Sequence, residues 1–257
     1  MPYAQSKGVR LYYEVHGSGP AITLVHGSGG NHAAWWQQVP QLSRSFTVLL
    51  PDLRGFGLSD PVEGGPDSLD FVDDIRAVLD AARVERSVVL GQSIGAAPAL
   101  RLAVAQPDRI AGVVLAHSLG GINDPDLAKL VAADRAEAEK LPVIDRLMSK
   151  AFQKDQPERT WLFRELGTFN HAKMQDLRNL SAKGPTIEEV VAAGAPILFL
   201  GGSEDAVMRP ETMRRAQAKL PGSALVTVPG APHSMYWEQP TLFNEQVEIF
   251  LRKVYGA

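Results

Sequence analysis

Cysteine is absent from this chain, and its absence removes disulfide bridges, thiolate metal sites and cysteine nucleophiles together. Charge of either sign is not in excess. The 26 Lys and Arg against 29 Asp and Glu give a net charge of −3, and no basic arm or patch stands out, so nothing points to nucleic acid. Long hydrophobic runs are missing too. No window reaches the roughly 18 apolar residues of a membrane span, and Met1-Pro2-Tyr3-Ala4-Gln5-Ser6-Lys7 lacks the apolar core of a secretion signal. These absences make a cytoplasmic protein the expectation. Repeats and low-complexity tracts are also lacking. What remains is an ordinary globular composition, 45% hydrophobic and 21% charged, on 257 residues. That length suits one large α/β domain, or a core with a small insertion.

Hydrophobic periodicity divides the chain into strands and helices. Val9, Leu11, Tyr13 and Val15 alternate with Arg10, Tyr12 and Glu14, the period of a half-exposed strand. Residues 21–25, 46–50, 88–90, 110–115, 196–200 and 225–228 are short, largely apolar runs that read as buried strands. Between them, 32–42, 69–82, 94–103, 213–220 and 241–254 carry helical patterns, the first with Trp35, Val39 and Leu42 on one face. Such alternation predicts a mostly parallel central sheet with helices on both faces. The rhythm breaks over 119–195, a stretch rich in Ala, Lys, Glu, Asp and Leu with no convincing buried strand. We expect a core of residues 1–118 and 196–257 carrying a helical cap insertion, with extra helices on the sheet edge as the plainer alternative.

The most specific local signal is Gly91-Gln92-Ser93-Ile94-Gly95, which follows an apolar run and opens a helix. A strand-to-helix turn this sharp presents its middle residue at the tip, and glycines two positions to either side give it room. Ser93 Oγ is then exposed beside a helix N-terminus, where unpaired N–H groups favour a developing oxyanion. A chance match is the competing explanation, because 23 glycines make such motifs easy to find. The second near-match, Ala116-His117-Ser118-Leu119-Gly120-Gly121, lacks the first glycine and is followed by Pro125 and a polar stretch instead of a helix.

A serine hydroxyl needs a base, and the base needs a group that fixes its tautomer. Of six histidines, His233 stands in Pro229-Gly230-Ala231-Pro232-His233-Ser234, just past the last strand, where parallel sheets place their sites. His26 follows a strand and reads as a loop-holding residue. His16 and His32 flank turns, His171 lies in the expected cap, and His117 ends a strand and borders the expected pocket. For the acid we select Asp205 in Gly201-Gly202-Ser203-Glu204-Asp205; Glu204 is the nearest rival, and Asp124 and Asp126 are weaker ones. The oxyanion donors are expected to be the backbone N–H groups of Ile94 and of Ser28 in His26-Gly27-Ser28-Gly29-Gly30. That glycine-rich loop lacks the Walker lysine and the dinucleotide fingerprint, so it does not read as a phosphate cradle.

With these motifs in order, residues 8–118 and 196–254 resemble the α/β-hydrolase superfamily. Val25-His26-Gly27 is similar to its oxyanion motif, and Pro51-Asp52-Leu53-Arg54-Gly55-Phe56-Gly57-Leu58-Ser59-Asp60 to its strand-to-helix segment. Gln106-Pro107-Asp108-Arg109-Ile110 also matches, and the order Ser93, Asp205, His233 is that of the family's triad. Two positions depart from the usual pattern: Gln92 stands where His is frequent, and Ala96 where a further Gly is. A Ser nucleophile argues against dehalogenases and epoxide hydrolases, which need a carboxylate. The resemblance implies a cofactor-free and metal-free serine hydrolase of small-molecule esters or lactones. A C–C bond hydrolase of vinylogous diketones is the alternative, with Arg159, Arg164 or Arg178 available to hold an anionic substrate. A ligand receptor on a hydrolase fold is another. Trp161 and Phe163, in the most apolar patch of the insertion, are expected at the pocket roof or in cap–core contact.

Overall fold

The computed structural model describes residues 2–256; Met1 and Ala257, the outer limits of the expected core, lie outside them. Eight strands form one sheet in the order β1-β2-β4-β3-β5-β6-β7-β8. They are β1 (Tyr3–Ser6), β2 (Val9–His16), β3 (Ala21–Val25), β4 (Thr47–Pro51), β5 (Ser87–Gln92), β6 (Ile110–Ala116), β7 (Ile197–Gly202) and β8 (Ala224–Val228). The first two pair antiparallel, β2 also runs antiparallel to β4, and the rest of the sheet is parallel.

The central strands read as unbroken apolar runs because both faces are covered. Successive side chains go to opposite sides. Val89, Val113, Leu115 and Phe199 enter one core, while Val88, Leu90, Val114 and Leu198 enter the other. The first core is closed by α2 (Phe71–Ala81) and α3 (Ala96–Ala105), whose Phe71, Ile75, Val78 and Leu79 make one helical stripe. The second is closed by α1 (Val39–Leu42), α10 (Met235–Glu238) and α11 (Pro240–Tyr255).

Three local readings change. Residues 32–42 do not form one helix. Asn31 caps a 3-10 turn over His32–Trp35 through its side chain, and a separate short α1 starts beside Pro40, whose ring cannot continue a helix interior. Strand β1 was not anticipated; it is a four-residue edge strand and too short to show a period. Helix α10 was not anticipated either, since its four residues cannot display helical periodicity.

Between β6 and β7 the described residues form α4 (Pro125–Ala138), α5 (Val143–Leu147), α6 (Lys150–Asp155), α7 (Pro157–Leu166) and α8 (Ile187–Ala193), with no strand among them. This segment is tied to loops that follow the C-terminal ends of β3, β4 and β8. Asn170 donates to Gly30 O (3.0 Å) and accepts from Gly57 N (2.9 Å), Ala172 N donates to Gly55 O (2.7 Å), and Ser234 N donates to Leu147 O (2.9 Å). Helix α9 (Pro210–Lys219) packs beside β7 and β8 and meets α4 through Lys219 and Asp124, 2.6 Å apart. No helix among the described residues is long and apolar enough to cross a membrane.

Candidate active site

Strand β5 ends at Gln92, and the backbone turns at Ser93 with φ +53°, the left-handed region that non-glycine residues seldom occupy. The turn is tight enough to dictate its neighbours. A Cβ at Gly95 would stand 2.6 Å from Val25 O and 2.7 Å from His26 O, and one at Gly91 would run into the Gly95 carbonyl. Glycine at both places is therefore a packing requirement of bringing β5, β3 and α3 together. The Gln92 side chain approaches Gly27, and a Cβ on Gly27 would lie 3.3 Å from Ser93 Cβ, so the loop after β3 sits directly against the serine.

That loop is held by His26. Its buried Nδ1 lies 2.8 Å from Gly27 O and its Nε2 3.1 Å from Leu53 N. Leu53 N must donate, so the ring carries its proton on Nδ1. Burial depresses its basicity, which keeps it neutral. Asp52 fixes the next turn by accepting from His32 N (2.6 Å), His32 Nδ1 (2.8 Å) and Leu58 N (2.8 Å). The Ser28 N–H, beside this rigid frame, has no acceptor among the described residues. Ile94 N–H lies in the first turn of the helical segment that runs on into α3, where N–H groups lack partners within the helix.

The acid and the base arrive from the other half of the sheet. Asp205 stands on the loop after β7 and is fully buried, accepting from Val207 N (2.8 Å) and Met208 N (2.9 Å) at Oδ1. His233, on the loop after β8, places Nδ1 3.0 Å from both carboxylate oxygens. Neither His233 Nε2 nor Ser93 Oγ is engaged by another protein atom among the described residues. Burial pushes the Asp205 carboxyl up, but the charge of His233 and the hydrogen bonds of His117 and His233 outweigh it and hold the group well below the usual carboxylate range. It is an ionised carboxylate at neutral pH. Glu204, Asp124 and Asp126 do not touch His233. Asp124 caps α4 by accepting from Asp126 N and Leu127 N.

His117 was underread. It directly follows β6 with φ +56°, is buried, and sets Nδ1 2.9 Å from Asp205 Oδ2. The available signal was strand adjacency. Ala116 pairs with Leu200 across parallel β6 and β7, so the residue after β6 and the loop after β7 emerge together. A single chain read linearly does not reveal that neighbour relation.

Ser93 and Ile94 open into a cavity of about 370 Å³, within the size range of small-molecule sites. Its walls are mostly apolar: Leu119 and Ile122 after β6, Leu127 and Val131 one turn apart on α4, and Val207 and Met208 after Asp205. Trp161 and Phe163 stand elsewhere. Trp161 is 64% exposed on α7, and Phe163 packs edge-to-face on Trp237 at 5.4 Å, in contact between the insertion and the core. Two residues apart on α7, the two side chains leave nearly opposite faces of the helix, one to solvent and one to Trp237. Arg159 is spent on Gln37 and on Trp237 O, and Arg178 lies over the Pro66–Ser68 backbone.

The profile of the α/β hydrolase fold matches residues 20–240. Among solved structures, a thermophilic esterase from Thermogutta terrifontis superposes with a TM-score of 0.83 at 26% identity, covering 98% of each chain. The enol-lactonase from Burkholderia xenovorans LB400 gives 0.81 at 25% identity over 97% of this chain and 99% of that one. A more local likeness, 37% identity over 117 residues, joins 44% of this chain to 41% of the 2-hydroxymuconate semialdehyde hydrolase of Pseudomonas sp. strain CF600. With that profile spanning the elbow, the acid loop and the histidine loop, the chain belongs to the α/β hydrolase fold family.

Proposed function

We propose that this protein is a serine hydrolase of carboxylic esters or lactones that works through an acyl-enzyme, with the insertion over 119–195 serving as a cap on the core. The observation that carries the reading is the Asp205–His233 pair. An ionised, buried carboxylate 3.0 Å from Nδ1 fixes that proton and leaves Nε2 as the basic nitrogen. In the proposed reaction Ser93 Oγ attacks the carbonyl carbon as its proton passes to His233 Nε2. The carbonyl electrons move onto oxygen, where the N–H groups of Ser28 and Ile94 receive them. The tetrahedral species collapses, the alcohol leaves with the proton from His233, and water repeats the sequence to release the acid. The Ser93–His233 contact that starts this chemistry is expected to form when substrate is bound. The apolar walls supplied by α4 suit the acyl or ring portion of a small ester.

A burst assay with p-nitrophenyl butyrate tests this. Wild type is expected to show a burst followed by turnover, and Ser93→Ala to lose both. Equal rates in the two proteins would sink the serine mechanism. The partial likeness to a semialdehyde hydrolase supports a second reading, cleavage of a C–C bond by the same residues. A panel pairing simple esters and lactones with vinylogous diketones separates the two. Tight ligand binding with negligible turnover on every member would favour a receptor instead.

A further inference from the structure

The mechanism above leaves one buried group without a role. His117 has its side chain fully shielded from solvent, its ring 5.4 Å from that of His233 and tilted 65° to it, and its Nδ1 2.9 Å from Asp205 Oδ2. Its backbone is strained into the left-handed region at φ +56°, just after its N–H has donated to Leu200 O at 2.8 Å. A residue held in that conformation is over-determined by its surroundings, and the turn is what swings the imidazole across to the end of β7. Its Nε2 is buried and has no partner among the described residues. The ring therefore makes one side-chain hydrogen bond, and that bond goes to the acid that orients His233.

Asp205 Oδ1 is already held by Val207 N and Met208 N, so His117 is not needed to anchor the carboxylate to its own loop. What it supplies is a donor on the second oxygen, which fixes rotation about the carboxylate and spreads its charge over another N–H. We propose that His117 is a positioning residue that shares the Asp205 carboxylate with His233 and thereby limits how strongly that carboxylate draws a proton onto His233. The proposal rests on the reading of Ser93, Asp205 and His233 as the reacting set. The titratable groups that bear on Asp205 are His233 and His117, and those that bear on His117 are Asp205 and His233. The further charges lining the adjoining cavity are Asp124, paired with Lys219, and Arg135 on α4. The Asp134–Arg209 pair joins α4 to the start of α9. Arg209 and Glu204 share the loop between β7 and α9 with Asp205, but Arg209 is turned to Asp134 and neither is hydrogen-bonded to the Asp205 carboxylate.

Removal of the His117 donor concentrates the carboxylate charge on the one remaining imidazole, so His233 must become easier to protonate. The experiment follows the His233 ring by NMR titration, its signals assigned by their loss in His233→Gln, in wild type, His117→Leu and His117→Gln. In His117→Leu the His233 midpoint is expected to rise by roughly one pH unit, and one of the strongly downfield imidazole N–H resonances to disappear. His117→Gln, which keeps an N–H donor, is expected to bring the midpoint back toward wild type. The acid limb of kcat/KM against pH should move with the NMR midpoint, lowering kcat/KM on that limb about tenfold with KM little changed. A merely structural His117 would lower the melting temperature and leave the His233 midpoint in place. That outcome, or a downward shift, overturns the proposal. If His117→Leu does not fold, an unchanged midpoint in His117→Ala overturns it equally, and a rise supports it. Full ester turnover in Ser93→Ala would instead defeat the reading of Ser93 as the nucleophile, and the NMR comparison tells the two failures apart.

Discussion

Ser93 holds φ +53° at a site where an L-residue is disfavoured by about 1–2 kcal/mol relative to right-handed backbone. The fold imposes that geometry through the close approach of Gly95 to Val25 and His26, so the strain belongs to the position and not to the hydroxyl. Ser93→Ala should keep the strain and Ser93→Gly should release it. We expect the glycine variant to be the more stable of the two by about 1 kcal/mol in urea unfolding, with both inactive. Equal midpoints would mean that the turn is relaxed. The serine was legible because its motif is local: five consecutive residues between a strand and a helix. The pairing of Asp205 with His233 was legible because each follows a strand. His117 was not, because its meaning depends on which strand lies beside β6.

At the scale of elements, α11 is more than a cover for the second core. Tyr255, in its last turn, donates its hydroxyl to Ala21 O at 2.6 Å and accepts from Val88 N at 3.0 Å. The contact lies at the register irregularity between Ser87 and Val88, where the ladder with β6 shifts. After Tyr255→Phe, Ala21 O still has the Ser87 hydroxyl at 3.3 Å, but Val88 N–H loses its partner. An unsatisfied N–H of this kind costs about 1–3 kcal/mol. We expect a lower urea midpoint for Tyr255→Phe with an unchanged m-value, and no change would mean that water replaces the hydroxyl. The sequence pattern located α11 and its apolar stripe, but nothing periodic marks a tyrosine that reaches two strands. The break in 32–42 was equally hidden, since Trp35, Val39 and Leu42 keep helical spacing across a chain interrupted at Pro40.

The whole molecule should lose stability as the medium turns acid. His26 and His117 are buried, and desolvation lowers their basicity below the ordinary histidine value. In the unfolded chain they take up protons as pH falls below about 6.5, so the unfolded state binds more protons and is favoured. Asp205 adds a second loss at lower pH. Its depressed folded value gives stability that is complete above about pH 3.9 and disappears as pH falls through the folded value. The urea midpoint is therefore expected to be lower at pH 5.5 than at pH 7.5, the two buried histidines outweighing His32, whose basicity Asp52 and Glu14 raise against its burial; a flat profile would show that they do not outweigh it. At this scale the mostly parallel sheet was readable from its apolar strands, because burial on both faces leaves no other composition for them. The path of the insertion was not, because helices with mixed faces can lie against a sheet in several ways.

The order of the strands has one more consequence. The proposed nucleophile and oxyanion loop come before residues 119–195, the proposed acid and base after them, and the two portions meet along the β6–β7 ladder from Val113–Ile197 to Ala116–Leu200. On the proposed mechanism, a nick in an exposed turn between β6 and β7 would yield one fragment holding the nucleophile without its base and another holding the base without its nucleophile. Each would be silent by itself. Fused to two other proteins, such halves would turn the proposed ester cleavage into a signal that those proteins had come together.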